Sequence, residues 1–392
     1  MTPLMERHAA RTAVFQERLG EAGVDLAVLT DPDSIYYLGG YWGYLGMDFG
    51  RPTAMLVPRQ GAPSIVTPLM ESEMARRMTW LDDVVAWEDG RGDEWRGALS
   101  RRIEATGIET LGVERLKTPG QVAEYLADAH ADLPFADISP ILGEMRMVKS
   151  AEEIAEMRQA GAVAVAMTEA AEAAIGVGVP EYEVALAVIA GGTRKAAEIL
   201  EAEGWTGDEA PFHCPTIYNL QILQSGHHTC MVHRRSTVRR IAAGEPVYLC
   251  YCGIANFKQF KLGFDRQYFV GHAPEEMARH YEITLAAQKA ALDAIRPGVP
   301  AEEPHFAAAD VYRQAGLAPG YRTGRAIGYS FLEAPEIKEG DTTPLAAGMT
   351  FAVDGGITLP GRFGTRVGDS IVVTEDGFDY LTPYPKELRV LG

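Results

Sequence analysis

The cysteines are the first residues whose placement suggests chemistry. All four, Cys214, Cys230, Cys250 and Cys252, fall between positions 214 and 252 of a 392-residue chain. Four cysteines over such a length make no disulfide framework, so reduced core thiols are the plain expectation. The run Cys250-Tyr251-Cys252 allows two further readings. One is a thiolate nucleophile activated by a nearby imidazole. The other is a zinc site built with Cys214 and a histidine, against which the spacing matches no standard zinc pattern. Histidines gather in the same stretch, at His227, His228 and His233. Imidazole takes and returns a proton near neutral pH because its ordinary pKa is ~6.5. On its own, a histidine beside Arg234 and Arg235 reads as a surface residue. Further upstream, Tyr36, Tyr37, Tyr41, Trp42 and Tyr44 form an aromatic-rich loop, suited either to core packing or to embracing a cationic group. Arg51 follows, with a planar guanidinium that fits a carboxylate bidentately or serves in a surface ion pair.

Composition sets the frame these residues must work in. The length argues for two domains. Hydrophobic residues at 47% and charged residues at 23% are ordinary for globular chains. With 36 basic against 54 acidic side chains, the formal charge is -18. That balance argues against nucleic acid and anionic membranes as partners, since both need a basic surface. The first 30 residues carry charges throughout and no apolar h-region, so no signal peptide is expected, and no stretch reads as a membrane span. A cytoplasmic location is the expectation.

The elements that must position the candidates are readable in outline. A helical pattern over 5–23 precedes the apolar run Leu26-Ala27-Val28-Leu29 and a turn at Asp31-Pro32-Asp33. Strand-like runs at 54–57, 64–67 and 111–113 and a helix over 119–129 complete a mixed α/β domain ending near residue 145. Ser150 and Glu153 have the spacing of a capping box, predicting a helix start there and a helix running to about Ala174. A second helix follows Pro180. Strands at 247–252 and 267–270, helices at 274–294 and 302–315, and strands at 349–353 and 370–374 complete the rest. Two helices and strands, then two helices and strands again, suggest an internal αβ duplication over 146–392.

Several motifs carry a resemblance. Phe49-Gly50-Arg51-Pro52, the segment 145–153 and Val179-Pro180-Glu181-Tyr182-Glu183-Val184-Ala185-Leu186 look like creatinase. Gly324-Arg325-Ala326-Ile327-Gly328, Val353-Asp354-Gly355-Gly356-Ile357 and Thr365-Arg366-Val367-Gly368-Asp369 resemble three motifs of aminopeptidases with the same fold. The chain is thus similar to the creatinase and aminopeptidase P family. The resemblance implies a small N-terminal α/β domain (1–145) followed by a C-terminal α/β "pita-bread" domain (146–392) with pseudo-twofold symmetry. It also implies a homodimer whose active site is shared between subunits.

Metal-using members hold two ions with two Asp, one His and two Glu. Here the first Asp position falls within Cys250–Cys252, the second on or near Gly263, the His at Arg325, and the Glu positions at Asp354 and Gly368. One carboxylate and a permanently charged guanidinium argue against a dinuclear centre, so no metal or other cofactor is expected. The resemblance gives His233 the place of the creatinase catalytic histidine, and Phe49 and Arg51 that of a pair gripping the substrate carboxylate. Trp42, Tyr44 and His228 are candidate lining residues. Asp265 falls where a carboxylate would hold a cationic group. Cys252 stands where ectoine hydrolase carries a nucleophilic Glu. Arg325 and Asp354 either bind substrate or pair with each other.

The leading expectation is a metal-independent hydrolase cleaving a C–N bond of a small zwitterionic or carboxylate-bearing amidine, guanidine or cyclic amide. The alternatives are a metal-dependent Xaa-Pro peptidase or lyase of the same fold, and a non-catalytic binding protein.

Overall fold

In a computed structural model, described for residues 2–205, 214–217, 222–251 and 256–392, the chain divides into two compact units, Met1–Met145 and Arg146–Gly392. The first unit begins with helix α1 (Pro3–Glu21), capped by Thr2, which turns Phe15 and Leu19 inward. Strand β1 (Leu26–Leu29) is buried along its whole length. Pro32, expected in a turn, instead opens helix α2 (Pro32–Gly39), a position where its missing N–H costs no hydrogen bond. After α3 (Leu45–Asp48) come β2 (Ala54–Pro58), β3 (Ser64–Pro68), α4 (Ser72–Met78) and β4 (Asp83–Trp87). The unit is completed by α5 (Glu94–Ala105), β5 (Leu111–Val113), α6 (Gly120–Ala129) and β6 (Phe135–Asp137), and α7 (Ser139–Met147) leads out of it. Its strands form one mixed sheet in the order β4-β3-β2-β1-β5-β6. Leu26, Val28, Leu56, Val66 and Leu111 pack on one side of it against Trp95, Leu99 and Ile103 of α5 and Val122 and Leu126 of α6.

The second unit opens on α8 (Ala151–Ala174). The Ser150 hydroxyl accepts from the Glu153 amide at 3.3 Å, and the Glu153 carboxylate accepts from the Ser150 amide at 2.7 Å. This reciprocal cap satisfies two otherwise unpaired donors and fixes where the helix starts. Helix α9 (Glu181–Ala202), then β7 (Ile222–Ser225), β8 (Pro246–Cys250) and β9 (Asp265–Val270) finish one half. The other half is α10 (Glu275–Ala294), α11 (Glu303–Gln314), β10 (Gly324–Ala326), β11 (Glu333–Ile337), and the long hairpin β12 (Thr350–Leu359) and β13 (Phe363–Val373). β14 (Phe378–Tyr380) and β15 (Val390–Leu391) close the chain. The element order therefore repeats, two helices and then strands, as pseudo-twofold symmetry requires.

One sheet joins both halves in the order β11-β10-β12-β13-β9-β8-β7, with β14 on β13 and β15 on β9. Its back face is covered by helices. Phe351, Val353 and Ile371 pack on Ala287, Ala291 and Leu292 of α10 and on Ala308 and Tyr312 of α11. Helix α10 comes so close to β12 that a Cβ on Gly355 would meet the Thr284 carbonyl oxygen at 2.7 Å. A side chain at 355 would therefore separate the layers. Among the described residues, no helix is long and apolar enough to cross a membrane.

Candidate active site on the front face of the central sheet

Strand residues two apart share a face, and the pairing register carries that face across the sheet. Arg325 of β10 pairs with Ala352, Asp354 with Gly368, and Gly356 with Arg366. Gly368 pairs in turn with Asp265, Asp265 with Cys250, Gln267 with Tyr248, and Cys250 with Ile222. Of these, Ile222, Tyr248, Cys250, Asp265, Arg325, Asp354, Gly356 and Arg366 line a cavity of about 760 Å³, joined by Val232, His233, Arg322 and Phe331.

The floor of the cavity is held from behind. Arg266 points to the back face, 2% exposed, and all five of its N–H donors are used. It donates to the carbonyls of Asp265 (2.7 Å), Gly368 (2.9 Å), Tyr384 (2.8 Å) and Pro385 (2.9 Å), and to Asp369 at 2.6 Å. Two of those carbonyls belong to the single residue pair that joins β9 to β13. Burial opposes the charge on Asp369, but Arg266 and Lys386 outweigh it and hold its carboxyl below the usual range.

The wall carrying His233 is fixed by side chains of its neighbours. Gln224 donates its amide to the carbonyls of Val232 and Arg234, both at 3.1 Å, gripping the backbone on either side of His233. The buried carboxylate of Glu181 accepts from the amide and hydroxyl of both Ser225 and Thr237. That ties the two ends of the loop to the start of α9.

Electrostatically the floor is a cluster. Arg325 donates to Asp354 at 2.5 Å and lies 4.2 Å over the ring of Phe331. Two glycines make room for the pair. A Cβ at position 263 would meet Arg325 Nη2 at 3.1 Å. A Cβ at 368 would meet Asp354 Oδ1 at 2.7 Å and Asp265 Oδ2 at 3.0 Å. Asp265 is 3% exposed. Its carboxyl is pushed up to about 7, first by burial and then by Asp354, against the pull of Arg325, Arg366 and Arg266. The Tyr248 hydroxyl, hydrogen-bonded to Asp265, is itself driven well above its ordinary value by burial and by that carboxylate.

Of the residues singled out in the sequence, the cavity gathers His233, Asp265, Arg325 and Asp354. His228 is on the short 3-10 helix Gly226–Cys230, tilted against His227 with ring centres 4.0 Å apart, and is not among the cavity's described lining residues. Four candidates belong to the first unit. There Arg51 is engaged by Asp89 at 2.5 Å in an exposed ion pair, Tyr44 and Phe49 meet edge-on with ring centres 6.1 Å apart, and Trp42 is half-buried. Cys252 lies outside the described residues. Cys214 and Cys230 carry free thiols, whereas Cys250 is disulfide-bonded, which corrects the expectation of reduced cysteines throughout. Tyr248 and Arg366 were missed as site residues. The usable signal was alternation, since each sits two positions from a residue that had been singled out, Cys250 and Gly368.

Comparison with known proteins bears on what this site belongs to. The sequence profile of metallopeptidase family M24 matches residues 155–375, more than half the chain, and that of the creatinase/prolidase N-terminal domain matches 11–148. The chain belongs to metallopeptidase family M24. A probable dipeptidase PepE of Mycobacterium tuberculosis is 32% identical over 98% of this chain and 97% of its own length. A protein named agropine synthesis cyclase, from Rhizobium rhizogenes, is 29% identical over 98% and 97%. The crystal structure of dipeptidase PepE from Mycobacterium ulcerans superposes with a TM-score of 0.80 at 29% identity, covering 99% of this chain and 98% of that one. These likenesses extend through the N-terminal domain and include the pita-bread fold.

They also correct the functional expectation. Relatives named as dipeptidases, alike over nearly the whole chain, overturn the amidine or guanidine hydrolase reading. The cavity gives a physical reason. Arg322, Arg325 and Arg366 line it against Asp265 and Asp354, and Asp354, the second carboxylate a guanidinium would need, is already held by Arg325.

The metals implied by an M24 family name require several donors converging on each ion. Gly263 and Gly368 offer no side-chain donor, and Arg325 brings a guanidinium into the space between the strands. Among the described residues, no three His, Cys, Asp or Glu side chains are grouped to hold an ion. The residues present do not fit a dinuclear centre.

Proposed function

We propose that this M24-family chain is a hydrolase acting on the amide bond of a small, dipeptide-sized substrate bound in the front-face cavity. The observation that carries this reading is the gathering of Asp265, Tyr248, His233, Arg325 and Arg366 around one cavity, in a chain similar to proteins named dipeptidase along nearly its whole length. Amide hydrolysis takes a proton from water and gives one to the leaving nitrogen. The water oxygen bonds to the carbonyl carbon as the C–N bond breaks, giving a carboxylic acid and an amine. Asp265, titrating near neutrality, suits both halves of that exchange, and Tyr248 orients it. His233 at the cavity edge is the second group able to carry the proton.

A second reading is favoured by the likeness to a protein named as a cyclase. The same acid–base groups would serve an intramolecular condensation, which releases water instead of consuming it.

One experiment addresses both. The protein is incubated with a panel of dipeptides, Xaa-Pro sequences and linear amino-acid conjugates included, with and without added Mn2+. Masses are followed against a His233→Ala control. Two fragments whose masses sum to substrate plus water support hydrolysis. An unfragmented product lighter by one water supports cyclisation. No change in any dipeptide under either condition overturns the hydrolase reading.

A further inference from the structure

Strand β12 pairs with β13 along its whole length, but on its other edge β10 reaches only Phe351, Ala352 and Val353. Among the described residues, no strand pairs with positions 354–359 on that side. The cavity runs along this stretch. It is lined by every residue from 354 to 359, and by every residue from 317 to 323 in the loop that leads into β10. A pocket over the face of a strand meets alternate residues, whereas one that meets them all follows the edge.

The register says which backbone groups point there. The amides of Gly364 and Arg366 donate away from β12, to Thr229 and Gln267. Their register partners, Thr358 and Gly356, therefore turn their own amides and carbonyls away from β13. Two bonds on the open side agree with this. The Asp354 amide donates to the Thr323 carbonyl at 2.7 Å, and the Gly356 amide to the Tyr312 hydroxyl at 2.8 Å. Tyr312 thus stands where the next acceptor of a neighbouring strand would be. Beyond it the edge presents the Gly356 carbonyl and then the Thr358 amide.

An open edge is a template for another extended backbone. In a parallel ladder, one residue of the added strand donates its N–H to one carbonyl and accepts at its own C=O from the amide two positions further on. The Gly356 carbonyl and the Thr358 amide, on either side of Ile357, have that spacing. We propose that this edge of β12 docks the backbone of an extended peptide ligand, one residue of which donates to the Gly356 carbonyl and accepts from the Thr358 amide. The inference rests on the amide-hydrolase reading in taking that ligand to be the substrate, and it adds how the substrate's backbone is held.

The test uses two neutral probes, N-acetylalanine N-methylamide and its analogue methylated on the alanine nitrogen, which lacks the N–H. Binding to the whole protein is followed by NMR titration. The N–H probe is expected to bind at least about fivefold more tightly, the worth of one net hydrogen bond. Thr358→Pro removes the edge amide at a position where a strand tolerates proline. Thr358→Val, which loses the same hydroxyl but keeps the amide, is the reference for it. Binding of the N–H probe is expected to be several-fold weaker in Thr358→Pro than in Thr358→Val. Equal binding of the two probes by the wild-type protein, or no binding of either, overturns the proposal without recourse to a variant. Equal binding of the N–H probe by the two folded variants overturns it as well. If the N–H preference is found while no dipeptide is turned over, the docking edge stands and the hydrolase reading falls. If dipeptides are cleaved while the probes bind alike, the hydrolase reading stands and the docking edge falls.

Discussion

Arg325 and Asp354 face each other across two adjacent strands with 2.5 Å between Nη1 and Oδ2, in a pocket where the arginine side chain is 5% exposed and the aspartate 25%. The pair depends on absent atoms as much as present ones. Gly263 leaves space for the guanidinium, and Gly368 for the carboxylate.

Removing one partner should therefore cost more than removing both. Arg325→Met leaves a largely buried carboxylate uncompensated. Losses for a fully buried pair are about 3–5 kcal/mol, and the partial exposure of Asp354 reduces the expected loss to about 2–3 kcal/mol. Arg325→Met/Asp354→Leu should recover most of that. Urea unfolding midpoints of the three proteins check the order.

Gly368→Ala is expected to impair turnover more than folding. The added methyl would sit within 3.0 Å of both Asp265 and Asp354, so one carboxylate must leave its place. Overpacking of this kind costs about 1–3 kcal/mol. A kcat lowered more than tenfold in a protein that still unfolds cooperatively is the expected result. Unchanged kcat would mean that the carboxylate spacing is irrelevant to the chemistry.

His233→Ala should lower kcat by roughly 10²–10⁴, the range for a proton-transferring side chain. Gln224→Leu tests the scaffold behind it. Without the two amide bonds to the carbonyls of Val232 and Arg234, the imidazole loses its placement while keeping its identity. The expected signature is a lowered kcat with a pH–rate profile of unchanged shape.

In the first unit, His8 makes stability depend on pH. It is 1% exposed. Burial lowers its pKa from 6.5 to about 3, and the hydrogen bond to the Tyr37 carbonyl offsets only part of that. The unfolded chain takes up this proton below 6.5, and the folded chain not until about 3. Stability from this group is thus complete above 6.5 and lost as pH falls through the interval, by at most about 1.4 kcal/mol per pH unit. His8→Gln should flatten that limb in denaturation curves taken between pH 6.5 and 4.

What the sequence disclosed depended on whether the signal was local. The start of α8 was legible because the Ser150–Glu153 cap is made within three residues, and the alanine-rich run marked its end at Ala174. The hairpin β12–β13 was legible only in fragments. Gly355, Gly356, Gly364 and Gly368 break the strand pattern, and each is a point of close approach by something distant in sequence. Respectively these are the Thr284 carbonyl, the Arg366 guanidinium, the Thr229 carbonyl, and the two aspartates. Glycine in a strand signals such approaches without naming the visitor. The same holds for the site. His233, Asp265, Arg325 and Asp354 stood out by type and motif. Tyr248 and Arg366 sit two positions from Cys250 and Gly368, a spacing that gains its meaning once the register places them on the same face.

Arg266 gives the fold a freedom that the cavity itself does not reveal. It fastens the seam between the two halves from behind, through backbone carbonyls that any residue would supply. The joint itself therefore makes no demand on the side chains of the two positions it fastens; that demand comes from the neighbouring carboxylates. Glycine at 368 and aspartate at 265 are one such choice. An architecture locked from its rear can exchange the chemistry of its front, keeping its ancestry in plain view while its pocket drifts toward a different substrate.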